Sequence, residues 1–210
     1  MFNELMEVGG LFWSLTYVFI IIRGFKDKTF GMPFIALCAN IAWETIFSFV
    51  YPHLPPQIYI DYAWFSLDCI IVFQFLRYGI SEFRFSRPKF YLLFIAMAVA
   101  AGYAIYYTSY ASDDWQGAYA AFGQNLVMSV LFIRMIFKRN SLKGQSFYIA
   151  LFKMLGSGII SIAYYLYQPI SHQTIVLPAC YVSIAACDII YTIIVYSKYK
   201  EQKISCFRSF

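Results

Sequence analysis

Charge is the scarcest thing in this chain. Asp, Glu, Lys and Arg together make up 13% of its 210 residues, against about 25% in an ordinary soluble domain, which excludes a well-hydrated globular surface. Histidine occurs twice and cysteine five times, with no CxxC pair and no Cys/His cluster. Neither a disulfide framework nor a metal centre is therefore expected. Cys38, Cys69, Cys180 and Cys187 fall inside apolar runs as small packing residues, and Cys206 falls in the tail. No DDxxD or DxDD run is present, so ionisation of a diphosphate held by magnesium is not expected. The net charge of +5 is split among short loops without a basic recognition element, which argues against a nucleic-acid partner. A cleavable signal peptide is not expected either, because Glu4 and Glu7 precede the first apolar run where a basic segment would stand.

What fills the chain is apolar: 61% hydrophobic residues, 21% aromatic. Seven runs approach the ~20 residues that a spanning helix needs, at about 9–22, 31–51, 59–79, 90–109, 116–137, 147–168 and 174–197. The expectation is an all-α integral membrane protein, one seven-helix domain over residues 1–210. Basic residues follow the first, third, fifth and seventh runs (Arg23, Lys26 and Lys28; Arg77, Arg84, Arg87 and Lys89; Arg134, Lys138, Arg139 and Lys143; Lys198, Lys200, Lys203 and Arg208), and the other connections have none. Because cytoplasmic loops carry the positive excess, the N-terminus is expected outside or in a lumen and the C-terminus in the cytoplasm. Lys153, one turn into the sixth run, is expected to snorkel to the interface.

Ionisable groups inside such runs are costly and mark function by default. The run GMPFIALCANIAWETIFSFVYP carries Glu44, with Asn40 one turn earlier on the same helix face, where an amide can orient the carboxyl. Trp43 and Phe47 share that region. The third run holds Asp68 in WFSLD and the seventh holds Asp188, with Tyr191 and Thr192 one turn on. At ~1.5 Å per residue, Glu44 falls roughly 20 Å from the inner edge and Asp68 roughly 13 Å from the outer one, so the two can share a chamber in the outer half. His53 reads as an interfacial polar group, and Asp113, Asp114 and Trp115 as a solvated turn. Gln124 and Asn125 either line a cavity or join helices. Gly156-Ser157-Gly158 offers a small surface for close helix approach.

An internal echo is present. FIAL at 34–37 matches YIAL at 148–151, and LDCIIVFQFLRY in the third run matches CDIIYTIIVYSKY in the seventh. The offsets pair helix 2 with 6 and 3 with 7, a 3+1+3 arrangement of parallel repeats that makes Asp68 and Asp188 counterparts.

The run GMPFIALCANIAWE, then VYP, WFSLD, KGQSFYIALFKMLGS and an aspartate in the last helix resemble the small seven-helix terpene cyclases of fungal meroterpenoid and indole-diterpene biosynthesis and their bacterial relatives. The resemblance spans nearly the whole chain, and its most specific parts are AN-x-x-WE and the last-helix aspartate. It implies a metal-independent, cofactor-free cyclase that protonates an epoxide or terminal alkene of a prenyl chain on a head group, with Glu44 and Asp188 as the acidic pair. Gly156-Ser157 stands where that family often has Gly-Thr. A carboxyl in hydrocarbon disfavours its charged form and so retains the proton that a general acid needs. Trp43, Trp64, Tyr164, Tyr165, Tyr181 and Tyr191 lie near the implied depth, and aromatic faces stabilise cations by ~0.5–2 kcal/mol each without attacking them. The implied partners are a lipophilic prenylated small molecule and the membrane lipid through which it enters. The implied location is the endoplasmic reticulum in a fungus or the cytoplasmic membrane in a bacterium.

The rival class is a small seven-helix transporter of the parallel-repeat, PQ-loop-like type. Pro56-Gln57 fits that signature, but it lies in an outer loop, and helices 1 and 5 lack hinge prolines. A retinal protein needs a lysine inside helix 7, where there is none.

Overall fold

A computed structural model describes residues 1–205; Cys206 and Arg208 of the tail lie outside the described residues. Each of the seven predicted runs is helical: α1 (Phe2–Lys26), α2 (Phe34–Thr45), α3 (Gln57–Tyr78), α4 (Arg87–Ala111), α5 (Ala118–Arg139), α6 (Phe147–Tyr167) and α7 (Val176–Glu201). Among the described residues there is no strand. Six of these helices are long and apolar enough to cross a bilayer.

The exception is α2, for which the sequence led us to expect a full span over 31–51. Pro33 keeps extended backbone (φ −57°, ψ 139°) ahead of the first helical residue. At the other end Ile46–Val50 widens into a π-helical turn, closed by the Tyr51 N–H to the Ile46 carbonyl at 2.8 Å. A π turn of this kind adds a residue to one helical turn and is frequent beside functional sites. Here it begins directly after Glu44 and Thr45.

Helix packing closes a ring. α1 lies along α6 and touches α3; α3 touches α2; α2 touches α5; α5 and α6 both pack on α7. Glycine makes the α1–α6 approach close: a Cβ at Gly156 would sit 2.8 Å from Trp13 Cδ1 and 3.2 Å from the Gly9 carbonyl. Gly158, part of the same predicted surface, meets nothing within 4 Å, so within that triplet Gly156 is the glycine at the close approach, facing Gly9 of α1. α4 stands outside the ring against α2. Phe90, Ile105 and Ser109 are its buried residues, while Leu92, Ile95, Val99 and Tyr103 are exposed. Its packing is thus confined to one edge, and the rest presents the apolar surface that lipid would cover.

Candidate active site

The ring encloses a cavity of about 750 Å³, walled by α1, α2, α3, α5 and α6 and by the α2–α3, α4–α5 and α6–α7 connections. No residue of α7 lines it. All four tryptophans of the chain do: Trp13, Trp43, Trp64 and Trp115. The volume falls within the range of small-molecule sites.

Glu44 is 1% exposed and forms part of the cavity wall. Its Oε1 accepts from the Tyr17 hydroxyl at 2.9 Å and from Asn40 Nδ2 at 3.0 Å. The i,i+4 spacing of Asn40 and Glu44 gives the amide–carboxyl contact expected of it. The same Nδ2 also donates to Asp68 Oδ2 at 2.8 Å and to the Tyr17 oxygen. An amide has only two hydrogens for these three acceptors, so one is shared. The Tyr17 hydroxyl and the amide thus hold Glu44 through one oxygen. Glu44 Oε2 and Asp68 Oδ1 are buried with no hydrogen-bond partner among the described residues. The two carboxyls are thus joined through one neutral amide, and among the described residues no Lys, Arg or His side chain bonds to either.

Lys153 corrects the snorkelling expectation. It is fully buried, and its three N–H donors go to Asp188 Oδ1 at 2.7 Å, Ser129 Oγ at 2.6 Å and Asn125 Oδ1 at 3.1 Å. Its ammonium also lies 5.5 Å from the centre of the Trp13 ring. It cannot reach the interface because Asp188, one α-helix away, supplies the countercharge inside the bundle. Asp188 therefore sits behind the wall, and its connection to the cavity runs through Lys153 and Asn125, not through Glu44.

The connections that line the cavity are more ordered than a solvated turn. His53 lines the cavity, with Nδ1 2.7 Å from Asp61 Oδ2 and Nε2 3.1 Å from the Gln116 carbonyl; Asp61 is fully buried and also accepts from Gln57 Nε2 at 2.8 Å. Each ring nitrogen of His53 thus faces an oxygen atom, one on Asp61 and one on the Gln116 backbone. Its ring stacks on Phe47 at 5.0 Å, so it fastens α2 to α3 and to the α4–α5 connection instead of lying at an open interface. Asp114 is buried as well and accepts from the Tyr119 N–H at the start of α5 at 2.8 Å. Burial pushes its carboxyl above the ordinary range, against the backbone N–H groups that hold it. Gly117 adopts φ +68°, where a side chain would meet the Phe47 ring.

The aromatic residues singled out in the sequence divide. Trp43, Trp64 and Tyr164 line the cavity; Trp43 Nε1 donates to the Gly117 carbonyl at 3.3 Å and Trp64 Nε1 to Ser14 Oγ at 3.0 Å. Tyr181 does not reach it. Its hydroxyl pairs with Ser171 at 2.8 Å and its ring backs Phe122, a wall residue, at 4.5 Å. Tyr191 lies toward the other end and donates to Gln145 Oε1, whose amide holds the Gly31 carbonyl at 2.8 Å. Tyr165 faces outward, 49% exposed. Sequence reasoning passed over Tyr17, Trp13 and Asp61. For Asp61 a signal existed, an acid four residues after Gln57 at a helix start; Tyr17 stands among apolar neighbours and carries none.

Residues 1–202 match the profile of the family described as Pyr4-like transmembrane terpene cyclases. The chain is 28% identical over 160 residues to a Pyr4-family terpene cyclase of Annulohypoxylon moriforme, covering 74% of this chain and 66% of that relative. It is 25% identical over 169 residues to asnovolin H synthase of Aspergillus novofumigatus (76% and 68%) and 30% identical over 159 residues to a terpene cyclase of Aspergillus fumigatus (71% and 64%). The aligned stretch spans about two thirds of the length of these relatives. No solved structure matches the chain.

Proposed function

The chain belongs to the Pyr4-like transmembrane terpene cyclases, and on that premise we propose that it starts cation cyclisation of a prenylated substrate by protonation from Glu44. The observation that carries this reading is a buried carboxyl in an aromatic cavity wall, held through Oε1 while Oε2 has no hydrogen-bond partner among the described residues. A proton on Oε2 passes to an epoxide oxygen, whose C–O bond breaks to leave a tertiary cation, or to a terminal alkene carbon, whose π pair forms the new C–H bond. Internal double bonds then supply their π pairs to successive cations, closing rings. The last cation gives up a neighbouring C–H proton to a base, so substrate and product are isomers when the reaction ends in an alkene. Trp13, Trp43, Trp64 and Tyr164 offer faces that stabilise the positive charge without attacking it. Asp188 acts through Lys153, from behind the wall.

Purified protein in nanodiscs, given a farnesylated aromatic or its terminal epoxide, is expected to release cyclised isomers with EDTA present. Among the described residues no group of three His, Cys, Asp or Glu side chains is placed to hold a metal ion. Turnover lost in chelator and restored by magnesium would overturn the mechanism. No cyclised product, together with solute uptake into liposomes, would return the chain to the transporter class.

The orientation and the repeat form part of the same reading. Contacts α1–α6, α1–α3 and α2–α3 have counterparts in α5–α2, α5–α7 and α6–α7, which supports a 3+1+3 arrangement with α4 as the unpaired helix. For an N-terminus outside, single cysteines at Gln57 or Gln173 are expected to react with an impermeant reagent in intact cells and one at Lys143 not to. The opposite labelling pattern would invert the topology.

A further inference from the structure

Several hydroxyls on these helices fold back onto the carbonyl four residues earlier: Ser14 on Gly10, Thr16 on Phe12, Ser66 on Tyr62, Ser129 on Asn125 and Thr192 on Asp188. Ser157 does not. It is 2% exposed and lines the cavity, its oxygen accepts from Asn125 Nδ2 at 2.9 Å, and its own hydrogen has no acceptor among the described residues. The direction of that bond is fixed from behind. Lys153 Nζ donates to Asn125 Oδ1, which turns the amide's N–H groups toward Ser157, and Asp188 holds Lys153 in turn. The chain from Lys153 through Asn125 to Ser157 runs donor to acceptor throughout, and such chains strengthen the terminal donor.

We propose that the Ser157 hydroxyl is a hydrogen-bond donor subsite in the cavity wall for an uncharged acceptor oxygen on the lipophilic substrate, whether ether, epoxide, carbonyl or hydroxyl. An anion is disfavoured, because Lys153 is already neutralised by Asp188 and two further carboxyls, Glu44 and Asp68, stand in the adjoining cluster. A hydrocarbon would leave the hydroxyl unsatisfied. This deepens the cyclase reading and rests on it, since it takes the cavity to be the substrate chamber.

All four tryptophans lie in the wall, so intrinsic fluorescence reports occupancy without turnover. Three probes titrated into protein in nanodiscs separate the alternatives: farnesene, which has no oxygen; farnesyl methyl ether, whose oxygen only accepts; and farnesol, which also donates. The wild type is expected to prefer the ether over the hydrocarbon by roughly three- to tenfold, the worth of one net hydrogen bond. Ser157→Ala is expected to bring the two affinities together, and Ser157→Thr, which keeps the hydroxyl, to preserve the preference. A preference unchanged in Ser157→Ala, or absent from the wild type, overturns the proposal. A gain for farnesol alone also overturns it, because the wall would then be accepting. The result is independent of Glu44→Gln, which removes proton transfer and leaves this donor in place.

Discussion

Glu44→Gln is expected to insert and purify like the wild type and to cyclise substrate about 10²–10⁴-fold more slowly, the usual worth of a general acid. The amide keeps the length of the side chain, and its oxygen can still accept from the Tyr17 hydroxyl and Asn40 Nδ2, so the cluster retains its hydrogen bonds. What disappears is an acidic proton. Asn40→Ala provides the comparison: it removes the donor that bridges Glu44 and Asp68 but leaves the Tyr17 bond, and should slow the reaction less, through a misplaced acid. Expression level and monodispersity in detergent monitor folding, and cyclised product per protein gives the rate. Near wild-type turnover by Glu44→Gln removes Glu44 from the donor role.

The sequence carried the helices well and the site unevenly. Long apolar runs leave little choice of structure in a bilayer, because every backbone group must be satisfied within a helix, and all seven runs are helical. The shortening of α2 was less visible, since a π turn has no composition of its own. Within the site, Asn40 and Glu44 could be paired because i,i+4 spacing is a local rule. The partners that come from other helices could not. Which of Glu44, Asp68 and Asp188 meet depends on the rotation of α3 and α7, and apolar helices with little amphipathic contrast do not announce their inner face. So Asp68 joins Glu44 through Asn40, while Asp188, its counterpart in the internal echo, joins Lys153. Lys153 misled for a related reason: a lysine one turn from a helix end ordinarily extends to water, and only the carboxylate on another helix shows why this one does not.

Lys153→Met is expected to lower stability by ~3–5 kcal/mol, the cost of stripping one partner from a buried ion pair. For a chain of this length that corresponds to a fall in Tm of roughly 6–20 °C. The ammonium satisfies Asp188, Ser129 and Asn125 together, so its loss leaves a carboxylate without countercharge among apolar neighbours and frees the Asn125 amide to rotate. Asp188→Asn leaves the mirror defect, a buried ammonium, and is expected to lose most cyclisation as well. Neither single variant separates a structural role from a positioning one. The double variant Lys153→Met with Asp188→Leu does, because replacing both members of a buried pair by apolar residues of similar size is often neutral or stabilising. Its Tm is expected to return to near the wild-type value while cyclisation stays at least about tenfold down, since the Asn125–Ser157 bond at the wall no longer has a fixed direction. Thermal unfolding in detergent and product formation at saturating substrate are measured on the same preparations. Full activity in the double variant would make the pair a scaffold only, and would leave Glu44 with its Asn40, Tyr17 and Asp68 neighbours as the whole of the acid machinery.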